Sequence, residues 1–462
     1  MKSSRVFIAV SVICFLSETG ASRILAVFPF NAKSHNIVFE ALVKGLLESG
    51  HRVDHVTHFP IKTTSSNYHN VINLDGSMEQ LENNYTMEIV SQIRGDVVNV
   101  VGQRYGNRIC HFMGFPEFQK LIRNPPKDVP YDLVITEAFG AHCFMGLGYV
   151  FNVPVVAVSS AVEYPWVSYF IGNSDNLAFV PNAYHIGAGY MNFLERLKNV
   201  YTNFISLRQF HAITGDDQTE SMRKYLRSDI PHIREVEKNV ALTLVNNNPI
   251  LFGVKPITPG LVQIAGLHIN ENEETLPAEL NKWMDESTHG VVYFTFGSMV
   301  LIETLPIEVL KSFYSVFSEL SPVRVLMKIV DSTKLPVGLP KNVKTLPWIP
   351  QQPVLAHPNT RVFITHGGLG GLQEALYHGI PMPLSPMQSA IFWIEYVIRN
   401  GGDVLRSPAL ALSWWQLALL DIYGCLLTSL LVGLVALSCS ILVILRTMKK
   451  VFSLDNAKLK TN

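Results

Sequence analysis

A segment late in the chain combines a flat aromatic ring, a histidine and a cluster of glycines. It comprises Trp348-Ile349-Pro350-Gln351 and, a short distance on, the run from His366 to Glu374. An apolar run at 362–365 leads into His366, and a helical pattern starts after the glycines. Glycines allow a ligand to approach the backbone, and the free amides at a helix N-terminus suit a phosphate. His366 could donate a hydrogen bond to the same phosphate, Trp348 could stack on a base, and Glu374 could accept from sugar hydroxyls.

A glycine-rich turn between a strand and a helix is weak evidence alone, because such turns are more often only tight turns. The complete set is more specific, and it resembles the nucleotide-sugar signature of the family 1 UDP-glycosyltransferases. Gly297-Ser298, which follows an apolar run at 291–296, also matches the turn with which that family contacts phosphate. The resemblance implies a UDP-sugar as co-substrate, with no further cofactor and no metal ion. The implied UDP-sugar contacts are Gly297, Ser298, Trp348, Gln351, His366, Gly368, Gly371 and Glu374.

The resemblance also implies a role for the side chains of this set. Trp348 would stack on uracil, Gln351 would contact the base, and His366 would contact the diphosphate. Glu374 would hold the ribose. The family usually has Ser or Thr where Gly371 stands, so we expect one side-chain contact with phosphate to be missing.

The family places its general base, a histidine, in the loop after the first strand. The matching residue is His35, and a neutral imidazole can take a proton from a hydroxyl near physiological pH. The family usually places an aspartate after a later strand, where it orients the histidine and stabilises the imidazolium. Glu137 occupies that position here. Without the resemblance, His35 and Glu137 would more simply be ordinary surface residues.

The family pattern is interrupted after Met382. Members of the family continue there with a strand, an Asp-Gln pair that holds the sugar hydroxyls, and further helices that close the domain. Here residues 383–385 pass almost at once into 386–395, which match the family's late helix before the membrane, and the Asp-Gln pair is absent. We therefore expect an incomplete C-terminal domain, through a skipped exon, a gene-model error or a lineage deletion. Such a deletion would expose core surface and strand edges and lower the stability.

Both ends of the chain carry apolar segments with the flanks of targeting signals. A charged start, an apolar run at 6–16 and small residues at 20–22 are typical of a secretory signal peptide. Residues 422–445 carry no charge, are long enough to cross a bilayer, and are followed directly by basic residues. By the positive-inside rule the tail is cytosolic and the bulk of the chain is luminal. Lys458 and Lys460 resemble a dilysine retrieval signal, or form a plain basic tail, and we expect a single-pass type I protein of the endoplasmic reticulum membrane.

Composition excludes one class of partner and limits the covalent cross-links. Lys plus Arg and Asp plus Glu both number 37, so no basic field is available to attract nucleic acid. Outside the two apolar terminal segments only Cys110 and Cys143 remain, which allows one disulfide at most. The histidines show no convincing metal-ligand spacing. Asn84-Tyr85-Thr86 is a sequon for N-glycosylation.

Short apolar runs alternate with helical patterns in both halves, which predicts an α/β protein with parallel sheets. Residues 24–28, a helix from about 37 to 47 and residues 53–58 form one β-α-β unit, with His35 in the loop before the helix. The resemblance implies the GT-B type of fold, two Rossmann-like domains, here with a C-terminal transmembrane helix. The predicted organisation is a signal peptide at 1–22, an acceptor-binding domain at 23–270, a truncated UDP-sugar-binding domain at 271–405, a transmembrane helix with its flank at 417–445 and a cytosolic tail at 446–462.

The resemblance implies a transferase that moves a hexose, with glucose favoured, from a UDP-sugar to a hydroxyl of a small lipophilic acceptor, with inversion. The interruption after Met382 motivates an alternative, a catalytically impaired isoform that associates with full-length relatives and modulates them. The sequence leaves open the acceptor, the choice between glucose and glucuronic acid, and whether the chain forms homo-oligomers or hetero-oligomers with related transferases.

Overall fold

The computed structural model describes residues 21–173, 175–183, 190–248, 253, 255–269, 275–379 and 412–459. The interruption after Met382 and the late helix before the membrane lie outside these residues. So does the predicted signal peptide, apart from its last two residues. The strands are β1 Arg23–Phe28, β2 Arg52–Thr57, β3 Tyr68–Asn73, β4 Leu133–Glu137, β5 Val155–Ser159, β6 Val240–Val245, β7 Leu261–Gln263, β8 Val291–Thr295, β9 Arg324–Lys328, β10 Val343–Leu346 and β11 Thr360–Thr365. The helices are α1 Lys33–Glu48, α2 Met87–Gly95, α3 Val97–Asn99, α4 Arg108–Cys110, α5 Pro116–Arg123, α6 Gly146–Phe151, α7 Pro165–Phe170, α8 Phe193–Tyr225, α9 Ile233–Glu237, α10 Ala278–Asp285, α11 Ile307–Glu319, α12 Gln351–Ala356, α13 Leu369–Gly379, α14 Trp414–Leu417 and α15 Leu420–Leu459, with a π-helical turn, Val100–Asn107, between α3 and α4.

The first sheet has seven parallel strands in the order β3-β2-β1-β4-β5-β6-β7. All six residues of β1 are buried, because helices cover both faces of a parallel sheet. The strand order reverses between β1 and β4, which pair directly, with Val27 opposite Thr136. In open α/β sheets a ligand crevice forms at the carboxyl ends of the two strands at such a reversal. The segment that follows β1 carries His35 to this crevice, and Glu137 is the last residue of β4.

The second sheet has four described parallel strands, in the order β10-β9-β8-β11. Its order reverses between β8 and β11, which pair with Phe294 opposite Ile364. Gly297 follows β8 and His366 follows β11, so the predicted phosphate contacts lie at the second crevice. The predicted GT-B arrangement of two Rossmann-like α/β units is confirmed, and the two sheets lie on either side of the predicted boundary at 270/271.

One predicted boundary was wrong in a way that affects the site. The helix after β1 was expected to begin at about Ile37, with His35 in a loop, but α1 begins at Lys33. The amide of Asn36 already donates to the carbonyl of Ala32, at 3.0 Å. His35 therefore lies in the first helical turn. Hydrophobic periodicity missed this turn because its residues face the crevice between the domains and not the core.

The last long helix agrees with the predicted membrane segment. Leu420–Thr447 has a mean hydropathy of 2.5 and is long and apolar enough to cross a bilayer. Its first turn contacts the first domain, since Ile422 is buried among Phe179, Val180 and their neighbours. Beyond Tyr423 its apolar side chains, as far as they are described, are exposed. This pattern fits a helix that leaves the protein and enters lipid.

Candidate active site

A cleft of about 440 Å³ separates the two domains, and the predicted site residues meet there. It lies where the crevices of both sheets face each other. Glu137 stands behind the wall of the cleft, in contact with His35. Asn84 does not line the cleft. The predicted residues that line it are His35, Gly297, Ser298, Trp348, Gln351, His366, Gly368, Gly371 and Glu374.

His35 and Glu137, which are 102 positions apart, form a hydrogen-bonded pair. His35 Nδ1 lies 2.6 Å from Glu137 Oε1, and the Glu137 side chain is only 5% exposed. The rings of Phe30 and Phe139 pack edge-on against the imidazole, at centroid distances of 4.8 and 5.0 Å. Burial and the nearby Glu137 carboxylate raise the pKa of Tyr164 to about 12, so this neighbour remains a neutral phenol. The hydrogen bond to Glu137 and the two aromatic rings fix the orientation of the His35 imidazole. Its Nε2 is then the ring nitrogen that can contact a ligand.

His366 is held between two glycines that have no room for a side chain. Gly297 adopts φ +77°, and a Cβ there would lie 2.6 Å from His366 Cε1. A Cβ on Gly368 would lie 2.5 Å from His366 Nε2. Burial, and then the positive charge of Lys328, lower the pKa of His366 below its ordinary value of 6.5. His366 is thus neutral at pH 7 and can donate one N–H to a phosphate oxygen.

Gln351 and Glu374 contact each other at the base of the cleft. Gln351 Nε2 donates to Glu374 Oε2 at 2.6 Å, and Tyr293 donates to Gln351 Oε1 at 3.3 Å. His268 Nε2 lies 3.3 Å from the other oxygen of Glu374. A Cβ on Gly371 would lie 3.1 Å from Gln351 Nε2, so the glycine at this position makes room for Gln351. The Glu374 carboxylate is therefore buried and oriented by these contacts.

Two lysines beside Trp348 were not predicted. Lys33 Nζ lies 3.9 Å from the centre of the indole ring and Lys328 Nζ lies 5.4 Å from it, and both residues line the cleft. Burial lowers the pKa of Lys328 to about 8. They add positive charge where a diphosphate would be bound. Lys328 is the last residue of β9, and ligands bind at the carboxyl ends of such parallel strands.

A segment of the first domain, residues 83–87, bridges to the loop after β8. The amide of Asn83 donates to the carbonyl of Ser298 at 2.9 Å, and the amide of Tyr85 donates to the carbonyl of Met299 at 3.0 Å. Lys328 Nζ donates to Asn83 Oδ1 at 2.7 Å. These bonds fix the Gly297-Ser298 turn relative to the first domain. No local pattern predicts this contact, because it joins residues more than two hundred positions apart.

The predicted glycosylation site lies in this bridge. Asn84 Nδ2, the atom to which a glycan is attached, donates to Glu79 Oε1 and to the carbonyl of Gln80, both at 3.1 Å. A glycan on Nδ2 would disturb both bonds. Glycosylation of Asn84 stays a prediction. Within the described ranges no group of three or more His, Cys, Asp or Glu side chains could hold a metal ion.

Comparison with known protein families identifies the family of this chain. The model of the UDP-glucoronosyl and UDP-glucosyl transferase family matches residues 25–387 and 382–453. The chain belongs to this family. It is a UDP-glycosyltransferase, and its donor is a UDP-sugar. The match comes in two parts that meet at 382–387, where the family pattern is interrupted after Met382.

Individual relatives agree along most of their length. UDP-glucosyltransferase 2 of Dactylopius coccus is 30% identical over 482 aligned positions, which cover 90% of this chain and 91% of the relative. An ecdysteroid UDP-glucosyltransferase of Spodoptera littoralis nuclear polyhedrosis virus is 26% identical and covers 84% of this chain and 78% of its own. Among solved structures, a complex of a UDP-glucosyltransferase from Polygonum tinctorium capable of glucosylating indoxyl is 17% identical, with a TM-score of 0.46, and covers 80% of this chain and 82% of its own.

Proposed function

We propose that this UDP-glycosyltransferase moves a glucosyl group from UDP-glucose to a hydroxyl of a small lipophilic acceptor, with inversion at the anomeric carbon. The observation that carries the proposal is the pair of His35 and Glu137, bonded at 2.6 Å on the wall of the cleft that also holds the nucleotide-binding residues. Acceptor activation and donor binding thus share one cavity.

His35 acts as the general base. Its Nδ1–H donates to Glu137, which leaves Nε2 with a lone pair to take the proton of the acceptor hydroxyl. The acceptor oxygen forms the new bond to the anomeric carbon while the bond from that carbon to the β-phosphate oxygen breaks. UDP leaves with the electron pair, and Glu137 stabilises the imidazolium that forms. His366, Lys328 and the amides at the start of α13 balance the charge of UDP.

Inversion follows from the carboxylates available in the cleft. Among the described residues that line it, Glu374 is the one carboxylate, and Gln351 and His268 already contact both of its oxygens. A retaining double displacement needs a carboxylate that attacks the sugar. A single displacement by the acceptor needs only His35, and it inverts the anomeric centre. The reaction proceeds without a cofactor or a metal ion, because protein cations and amides stabilise the leaving group.

The surroundings of His35 favour a lipophilic acceptor. Phe30, Tyr105 and Phe139 form an aromatic cluster next to the imidazole, with centroid distances between 4.8 and 6.2 Å. Ile37, Met299 and Val300, which line the cleft together with His35, offer apolar surface to an acceptor ring whose hydroxyl reaches the base. The relatives in Dactylopius coccus and in the nuclear polyhedrosis virus are named for glucosyl transfer, which supports glucose as the sugar.

The long apolar helix anchors the protein in the endoplasmic reticulum membrane as a single-pass type I protein. The uncharged stretch of this helix, residues 422–445, spans the bilayer, and Arg446 with the basic residues after it stays on the cytosolic side. Both α/β domains then face the lumen, after removal of the signal peptide.

The test is transfer by the full-length chain in membranes. UDP-glucose, UDP-glucuronic acid and UDP-galactose are each supplied with phenolic and steroidal alcohols, and the anomeric configuration of the product is read by NMR. We expect β-linked products from UDP-glucose and none from a His35→Ala variant. A folded chain that binds no UDP and transfers no sugar would refute the proposal and favour the impaired isoform.

A further inference from the structure

The first half of α8 has its polarity reversed. Its N-terminus is defined by a capping box between Asn192 and Glu195. The most buried side chains of its first half are polar, since Arg196, Asn199 and Ser206 are each at most 4% exposed, while Leu197 and Val200 pack half-buried beside them. The side chains that it turns to the outside are apolar or basic. Those exposed are Leu194 at 71%, Tyr201 at 65%, Phe204 at 54% and Ile205 at 39%, together with Lys198 and Arg208.

The buried polar side chains are engaged with the protein. Asn199 Nδ2 donates to the carbonyls of Leu177 and Val180, at 3.0 and 2.8 Å. Arg196 forms an ion pair with Asp421, in the first turn of α15. The helix is therefore fixed in this rotation, and its apolar stripe cannot turn inward. A soluble surface helix shows the opposite arrangement, so the stripe needs an apolar environment.

The place of α8 identifies that environment. Leu197 and Val200 pack in one cluster with Leu419 and Ile422, at the start of the apolar helix. Leu426 is the first large apolar side chain after Tyr423 that is exposed, and it lies about 8 Å along the helix from Asp421, at 1.5 Å per residue. Interfacial helices bury their apolar face about 5–10 Å into the boundary between headgroups and acyl chains. Because Arg196 contacts Asp421, the N-terminal end of the stripe on α8 lies close to the depth of the membrane interface.

We propose that the stripe of Leu194, Tyr201, Phe204 and Ile205 binds the surface of the bilayer that α15 crosses. Tyr201 and Phe204 are suited to the interface, and Lys198 and Arg208 extend to the headgroups. This second contact holds the first domain, and with it the acceptor side of the cleft, against the membrane. Lipophilic acceptors concentrate there. The inference rests on the membrane-anchor part of the proposed function.

The test uses the full chain, with Cys14→Ala, Cys425→Ala and Cys439→Ala, in phosphatidylcholine vesicles that contain phosphatidylserine. A single cysteine is introduced by Tyr201→Cys or Phe204→Cys and labelled with an environment-sensitive fluorophore. We expect nitroxide lipids labelled near the headgroup to quench both labels roughly twofold or more beyond a Val337→Cys control. Val337 is 95% exposed and lies in the second domain.

A Leu430→Cys label, inside the apolar helix and read with lipids that carry the nitroxide on the acyl chain, separates the two possible failures. If Leu430→Cys is quenched and both α8 labels match Val337→Cys, the bilayer contact is refuted and the anchor stands. If Leu430→Cys is not quenched, the anchor fails and the contact fails with it. Protection of the α8 labels from aqueous quenchers in detergent, together with cross-linked dimers, would assign the stripe to a second copy and also overturn the proposal. Transfer from UDP-glucose, measured on the same samples, reports separately on the proposed reaction.

Discussion

Glu137→Gln is the perturbation that tests the catalytic pair most directly. The variant keeps the size and an oxygen acceptor at the position of Oε1, 2.6 Å from His35 Nδ1, but removes the negative charge. That charge matters most when the imidazole becomes an imidazolium, because the bond is then charge-assisted on both sides. A hydrogen bond to a charged group contributes about 1.5–3 kcal/mol, which corresponds to a loss of roughly 10- to 150-fold in kcat.

The assay measures UDP release and glucoside formation over a range of UDP-glucose concentrations up to saturation. We expect KM for UDP-glucose to be unchanged, since Glu137 does not line the donor side of the cleft. We also expect the loss to shrink with a phenol acidic enough to ionise at the assay pH, because such an acceptor needs no base. Glu137→Asp introduces the residue usual in the family and keeps the negative charge. Its kcat should lie between that of the parent and that of Glu137→Gln.

The chain offers a matched control for the burial of a carboxylate. His142 Nδ1 lies 2.5 Å from Glu237 Oε1, and both side chains are buried in the same domain but do not line the cleft. Glu237→Gln should lower the melting temperature and leave kcat within about twofold of the parent, as a change with no contact to substrate does. A folded Glu137→Gln protein with unchanged kcat, or one that behaves like Glu237→Gln, would refute the role of Glu137.

Four further outcomes follow from the same geometry. Gly297→Ala places a methyl group 2.6 Å from His366 Cε1, so it should weaken UDP binding and lower the melting temperature. Gly45→Ala, at an open helical position, should instead stabilise the protein by about 0.5–1 kcal/mol. Equal effects of the two changes in calorimetry would contradict the packing argument. Trp348→Ala should weaken UDP binding roughly 5- to 150-fold in a titration, the range expected for loss of base stacking, and an unchanged Kd would exclude Trp348 from the uracil site. Lys328, with a pKa of about 8, is charged below that pH and neutral above it, so the Kd for UDP should rise between pH 7 and 9. The Lys328→Met variant should bind UDP at pH 7 as weakly as the parent protein does at pH 9. A Kd that does not change with pH would contradict this. The disulfide between Cys110 and Cys143 closes a separation of 33 residues, so replacing both cysteines by serine should lower the free energy of unfolding by about 3–4 kcal/mol, measured by denaturant titration.

Much of the second domain was readable from local pattern. The apolar runs at 291–296 and 362–365 match β8 and β11 to within two residues, because a buried parallel strand is a short apolar run that ends in a turn. The residues Trp348, Gln351, His366 and Glu374 all fall within one stretch, so no long-range contact was needed to group them. The apolar helix from Leu420 was equally evident, since its length and lack of charge are properties of a single segment.

Other features required the tertiary structure. Helix α8, 33 residues long, escaped prediction because its first half is polar inside and apolar outside, contrary to the usual pattern. The start of α1 was missed because its first turn faces the cleft and carries no apolar pattern. The disulfide was allowed by the cysteine count, but only the structure pairs Cys110 with Cys143.

By itself, the sequence determined the family, the two α/β units and the apolar helix, and it grouped the residues predicted to bind the nucleotide, because each of these depends on a contiguous pattern of residue types. Only the tertiary structure decided that His35 contacts Glu137, that residues 83–87 hold the Gly297-Ser298 turn, and that Arg196 ties α8 to the helix at Leu420. Each of these contacts joins positions about a hundred or more residues apart. Such pairs are selected by how whole sheets and domains pack, and no local periodicity records that choice.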